Sequence, residues 1–166
     1  TTGTVVAGNY IGTNAAGTAA VPNEILGITI DDAPNNIIGG TTPAARNIIS
    51  GNATNRALGK GGGIFITNAG ATGNLVQGNY IGVDITGTVA LPNQSDGVTA
   101  QNGATGNTIG GTTSGARNLI SGNTGAGVEL VAAGRLRVGN GVLGNYVWES
   151  GQTQEASRDQ QHAFFG

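Results

Sequence analysis

The chain has 166 residues with 32 Gly, no Cys, 4% aromatic and 10% charged residues, and a formal net charge of −2. That length allows one domain. The weak charge, with no basic patch, removes the electrostatic basis for nucleic-acid binding. The lack of Cys excludes disulfides and thiolate metal sites, and no run approaches the roughly 18 apolar residues of a membrane span. The 37% hydrophobic residues, mostly Val, Ile, Leu and Ala, predict a thin aliphatic core. Many tight turns around such a core explain both the scarce aromatics and the excess of Gly.

Read from the N-terminus, three short β-branched segments follow one another. One surrounds Val6, one surrounds Ile11, and one has the form Gly-aliphatic-x-aliphatic from Gly27. We name them A, B and C. The A segments recur around Ile38, Val76, Ile109 and Val142, and the B segments around Ile49, Ile81, Ile120 and Val147. The C segments recur at Gly63, Gly97 and Gly127. The whole series therefore returns about every 33 residues, each segment bounded by Gly or Asn.

A longer repeat overlies this one. Thr2–Gly12 aligns with Thr72–Gly82 at an offset of 70, and the match holds through Pro22-Asn23 and Pro92-Asn93. After one insertion, Asn36–Thr42 and Ala45–Asn52 align with Asn107–Thr113 and Ala116–Asn123. Strands this short cannot bury an apolar face alone, but they can when each coil stacks on the next. The reading predicts an all-β parallel β-helix of four to five coils, with three strands per coil forming three sheets. Right-handed winding is expected from the preference of parallel crossovers. In the C segments, Ile28, Ile64, Val98 and Val128 should stack inward and Thr29, Phe65, Thr99 and Glu129 outward. Asn and Gly tolerate left-handed backbone at corners, and Asn9, Asn47, Asn79, Asn118 and Asn145 should form a hydrogen-bonded ladder along the stack. Residues 1–148 are assigned to the β-helix and 149–166 to a non-repeat tail or cap.

The segments Gly8–Asn23, Asn36–Asn52 and Asn107–Asn123 resemble the Gly/Asn-rich β-helix repeats of large bacterial secreted or cell-surface proteins. The resemblance spans roughly residues 1–147 and weakens after Leu130. It implies a right-handed parallel β-helix of pectate-lyase-like architecture and an extracellular or cell-surface location, and it implies no activity.

Candidate sites are few. The acids are scattered, and Asp96 with Glu129 on the adjacent coil is the best pair for general acid-base hydrolysis, which needs carboxyls about 5 to 9.5 Å apart. Against it stands the reading of ordinary surface carboxylates. Arg46 and Arg117 occupy equivalent positions two coils apart, so stacking sets them about 10 Å apart. They could clamp an anionic sugar or simply bond nearby loop carbonyls. Phe65 stands as an exposed ring on an otherwise solvated ladder, a possible ligand contact. His162 is too remote, in the tail, for a Ser-His-Asp triad. Gly59–Gly63 lacks the order of a phosphate loop, and Asp31-Asp32 is too sparse for a calcium site. No cofactor or metal is expected. Ice binding would need a regular Thr array, which the outward series Thr, Phe, Thr, Glu does not supply.

The functional expectation is a structural or adhesive segment of a longer extracellular array, since Thr2 aligns mid-repeat with Thr72. The alternative is a β-helix that binds or cleaves polysaccharide as a lyase or glycoside hydrolase. Expected partners are a polysaccharide or cell-surface glycan, with weak self-association through the open first coil. Trp148, Phe164 and Phe165 would either plug the last coil or belong to a loose tail.

Overall fold

The structure is a computed structural model that describes residues 1–52, 62–131 and 139–148. The tail from 149 onward, with His162, Phe164 and Phe165, lies outside the described residues, as do Lys60 and Arg135–Arg137. In chain order the strands are β1 (Val5–Val6), β2 (Tyr10–Ile11), β3 (Leu26–Asp31), β4 (Ile37–Gly39), β5 (Ile48–Ile49), β6 (Gly62–Thr67) and β7 (Leu75–Gln77). They continue with β8 (Tyr80–Ile81), β9 (Asp96–Gln101), β10 (Thr108–Gly110), β11 (Leu119–Ser121), β12 (Val128–Leu130), β13 (Gly141–Leu143) and β14 (Tyr146–Trp148). Among the described residues, short 3-10 turns occur at Pro43–Ala45 and Ser114–Ala116.

Every named strand pairs in parallel with the strand one coil away. Sheet A runs β1-β4-β7-β10-β13, sheet B runs β2-β5-β8-β11-β14, and sheet C runs β3-β6-β9-β12. The chain is thus a parallel β-solenoid of about four turns. Its register is the one the repeat predicts. In sheet A, Val6, Ile38, Val76, Ile109 and Val142 align rung on rung. Ile11, Ile49, Ile81, Ile120 and Val147 do so in sheet B. In sheet C the inward column is Ile28, Ile64, Val98 and Val128. These columns meet in one narrow core that also takes in Ile30, Ile66, Ala71, Ala100 and Ala104. The packing is aliphatic because β-branched residues fit a pleated, half-buried surface, and the small cross-section has no room for rings.

The outward column of sheet C corrects one expectation. Thr29, Phe65, Thr99 and Glu129 do align, but the middle of this ladder is not solvated. Phe65 is 8% and Thr99 6% exposed, whereas Thr29 and Glu129 are exposed. The inner rungs are covered from both sides by their ladder neighbours, the outer rungs from one.

Asn residues close the corners in two distinct ways. The expected ladder exists: the side-chain amides of Asn9, Asn47, Asn79 and Asn118 each donate to the carbonyl of the next Asn in the series, ending at Asn145, at 2.9 to 3.1 Å. Two further ladders run beside it. One links Asn36, Asn74, Asn107 and Asn140, and the other Asn23, Asn52, Asn93 and Asn123. A different set adopts left-handed backbone, namely Asp32, Asn35, Asn68 and Asn102, all with φ between 50 and 71 degrees. The ladder residues also explain one obligatory glycine. Gly39 has φ of 88 degrees, and a Cβ there would run into the Gln77 carbonyl and the Asn79 side chain of the next coil.

The 70-residue period has its own structural meaning. The first and third coils leave sheet B through loops 12–21 and 82–91, each closed by an antiparallel bridge, Thr13 to Ala20 and Val83 to Ala90. The second and fourth coils instead enter sheet B through the 3-10 turns. The two loops meet across the intervening coil, where the Ile85 N–H donates to the Gly17 carbonyl at 2.9 Å. Sheet B is therefore flanked by loops on one side and 3-10 turns on the other.

Candidate functional site

The first candidate is the carboxyl pair on sheet C. Asp96 opens β9 and Glu129 lies on β12, one coil further on. Asp96 is well anchored: its Oδ1 accepts the Ala126 N–H at 2.7 Å and its Oδ2 accepts the Thr99 hydroxyl at 3.0 Å. Partial burial, the Asp96 charge and a hydrogen bond to Asp96 all push the Glu129 carboxyl up from its ordinary value. The structure thus places the two acids that the sequence singled out on adjacent coils, close enough to act on one another electrostatically. General acid-base hydrolysis needs two carboxyls held about 5 to 9.5 Å apart and free to act on substrate, whereas both Asp96 oxygens are already engaged by the Ala126 N–H and the Thr99 hydroxyl.

The remaining described acids serve the backbone. Asp31 Oδ1 accepts the Asn68 side-chain amide at 2.6 Å, and Asp32 Oδ1 accepts the Gly70 N–H at 2.7 Å. Asp84 closes loop 82–91. Burial pushes its carboxyl up, but the Thr86 hydroxyl and the backbone N–H groups of Val89, Thr88 and Thr86 outweigh this and hold it below its ordinary value. Among the described residues, no three His, Asp or Glu side chains converge on a point that could hold a metal ion.

The second candidate lies along sheet B. Its outward residues alternate in register: Tyr10, Ile48, Tyr80, Leu119 and Tyr146. On the coils that carry Ile48 and Leu119, the 3-10 turn ends at an Arg. The Arg46 guanidinium lies 4.1 Å from the Tyr80 ring centroid, and its Nε donates to the Gly78 carbonyl at 3.3 Å. The Arg117 guanidinium lies 5.4 Å from the Tyr146 ring centroid, and Nη1 donates to the Tyr146 hydroxyl at 2.8 Å. Its Nε is buried without a partner. Each Arg thus reaches from its own coil onto the tyrosine of the next. Gly78 itself lies tight against the coils on either side, where a Cβ would collide with the Gly40 carbonyl. Of the two uses considered for these arginines, the loop-carbonyl bond is present for Arg46; the tyrosine partners are new. Tyr10 and Tyr80 share the 70-residue offset in the sequence, but nothing in that offset places an arginine on either ring. Phe65, on the opposite sheet and largely buried, is not part of this arrangement.

No known protein family matches the chain, and no curated protein or solved structure does. The solenoid itself is therefore read from the repeat and the strand register alone.

Proposed function

We propose that the chain is a structural or adhesive segment of a bacterial secreted or cell-surface protein, where its role is to extend and present a surface. The observation that carries this reading is the construction of the stack. Three Asn ladders and one continuous aliphatic core bind each coil to its neighbours, so length is gained by adding coils without redesigning the core. The Gly/Asn-rich repeat resemblance supports the bacterial extracellular setting. The polysaccharide-binding alternative is favoured by one observation, the tyrosine and arginine series on sheet B. The cleaving alternative has only Asp96 and Glu129, and the engagement of Asp96 by Thr99 and Ala126 speaks against it.

A glycan array run beside a reducing-sugar assay tests the reading. Retention of glycans without release of new reducing ends is the expected result. Sustained chain cleavage that is lost in Asp96→Asn and Glu129→Gln would overturn it in favour of an enzyme.

A further inference from the structure

We propose that the sheet B face is a binding ridge for an anionic polysaccharide carrying one negative group per disaccharide. The proposal rests on the adhesive reading above and deepens it by naming the ligand class. Three observations lead to it.

The first is spacing. Arg46 and Arg117 precede β5 and β11, which are separated by one strand, β8, in sheet B. Two rungs of a parallel sheet measure roughly 10 Å, about the length of a disaccharide unit. A linear polymer lying along the solenoid axis would meet the two guanidiniums in phase with its own repeat.

The second is charge. Arg46 and Arg117 are the only cationic side chains among the described residues. The described acids lie elsewhere. Glu24, Asp31, Asp32, Asp96 and Glu129 sit on sheet C or beside its strand ends, and Asp84 is turned into its own loop by Thr86. Among the described residues the guanidiniums thus have tyrosine and carbonyl partners but no counter-carboxylate, and the described cations and acids lie on different sheets. An uncompensated pair of guanidiniums selects carboxylate or sulfate, which they can bind through paired N–H donors.

The third is preorganisation. Stacking on a tyrosine occupies the flat face of a guanidinium and leaves in-plane N–H groups available. Arg46 uses Nε for Gly78, which leaves both terminal nitrogens. Arg117 uses Nη1 for Tyr146, which leaves Nη2. The rings fix each cation before a ligand arrives, which reduces the ordering cost of binding. Tyr10 and Tyr146 are each 44% exposed, so the face also offers aromatic surface to sugar C–H groups at both ends of the series.

The test uses the full chain and a hyaluronan octasaccharide, which carries one carboxylate per disaccharide, with its carboxyl-reduced counterpart as the neutral probe. Titration calorimetry should show binding of the anionic probe that weakens with salt. Arg46→Gln and Arg117→Gln should each weaken it roughly tenfold, the expected loss of a charge-assisted contact. Circular dichroism and melting of each variant establish that the coil stack persists. Arg46→Lys should recover only part of the loss, because a point charge lacks the planar fork. Equal affinity for the two probes, or binding unchanged in the folded Arg46→Gln/Arg117→Gln variant, would overturn the ridge. If the array then still retained neutral glycans, the adhesive reading would stand without it. Absence of binding to either probe would also overturn it.

Discussion

Asn79 shows how one side chain joins three coils. It is fully buried. Its amide donates to the Ile38 carbonyl one coil back and to Asn118 Oδ1 one coil forward, while its own Oδ1 accepts from the Asn47 side chain and backbone. Asn79→Leu preserves volume but orphans a carbonyl and two donors, each worth about 1 to 3 kcal/mol when buried without a partner. We predict a loss of at least about 3 kcal/mol, measured by urea denaturation. A loss under about 1 kcal/mol would mean that water replaces the ladder. Glu129 makes a pH prediction at the same scale. The folded chain holds its proton more tightly than the unfolded chain does. Its contribution to stability is therefore complete at acid pH and is lost as pH rises above the ordinary value of 4.5. Asp84, held low, acts in the opposite sense and favours folding above 3.8. Glu129→Gln keeps a donor for Asp96 and cannot titrate. Stability of this variant between acid and neutral pH should decline less than that of the parent chain; superimposable profiles would contradict a raised Glu129 carboxyl.

At the scale of the strand, register decides which substitutions are felt. Ile64 is buried between Ile28 and Val98, and neighbours above and below it limit collapse. Ile64→Ala should cost about 2–5 kcal/mol, whereas Thr29→Ala on the exposed side should stay within about 0.5 kcal/mol. Equal losses would require a register shifted by one residue. Thr99 belongs with neither, because it is buried and bonds Asp96, so Thr99→Ala should fall between the two. The strand columns were legible because period-2 alternation and the 70-residue offset fix them together. The ladder through Asn9 was legible for the same reason. The two other Asn ladders carried the same signal, since Asn36 aligns with Asn107 and Asn52 with Asn123. They stand out only once the A and C corners are known to stack. Burial of Phe65 and the seat of Arg46 on Tyr80 were not legible. Both depend on what a neighbouring coil places beside a side chain, and alternation within a strand carries no such information.

For the whole molecule, the ladders have a direction. In all three, an interior residue such as Asn79, Asn93 or Asn107 accepts at Oδ1 from the Asn of the coil before it, and its side-chain amide donates both to the Asn Oδ1 of the next coil and to a backbone carbonyl of the coil before. β1 and β2 lie in the first coil, where Val5 is 61% exposed, and we propose weak self-association through that coil. Sedimentation velocity should show concentration-dependent growth that Val5→Lys suppresses, and a strict monomer at high concentration would remove the proposal. The central claim, that coils are held together by buried Asn ladders, is tested most directly by NMR hydrogen exchange of the side-chain amides. The account predicts slow exchange for Asn74, Asn79, Asn93, Asn107 and Asn118, which are buried in the ladders, and fast exchange for Asn14, which caps an exposed loop. Equally fast exchange at all six would contradict it.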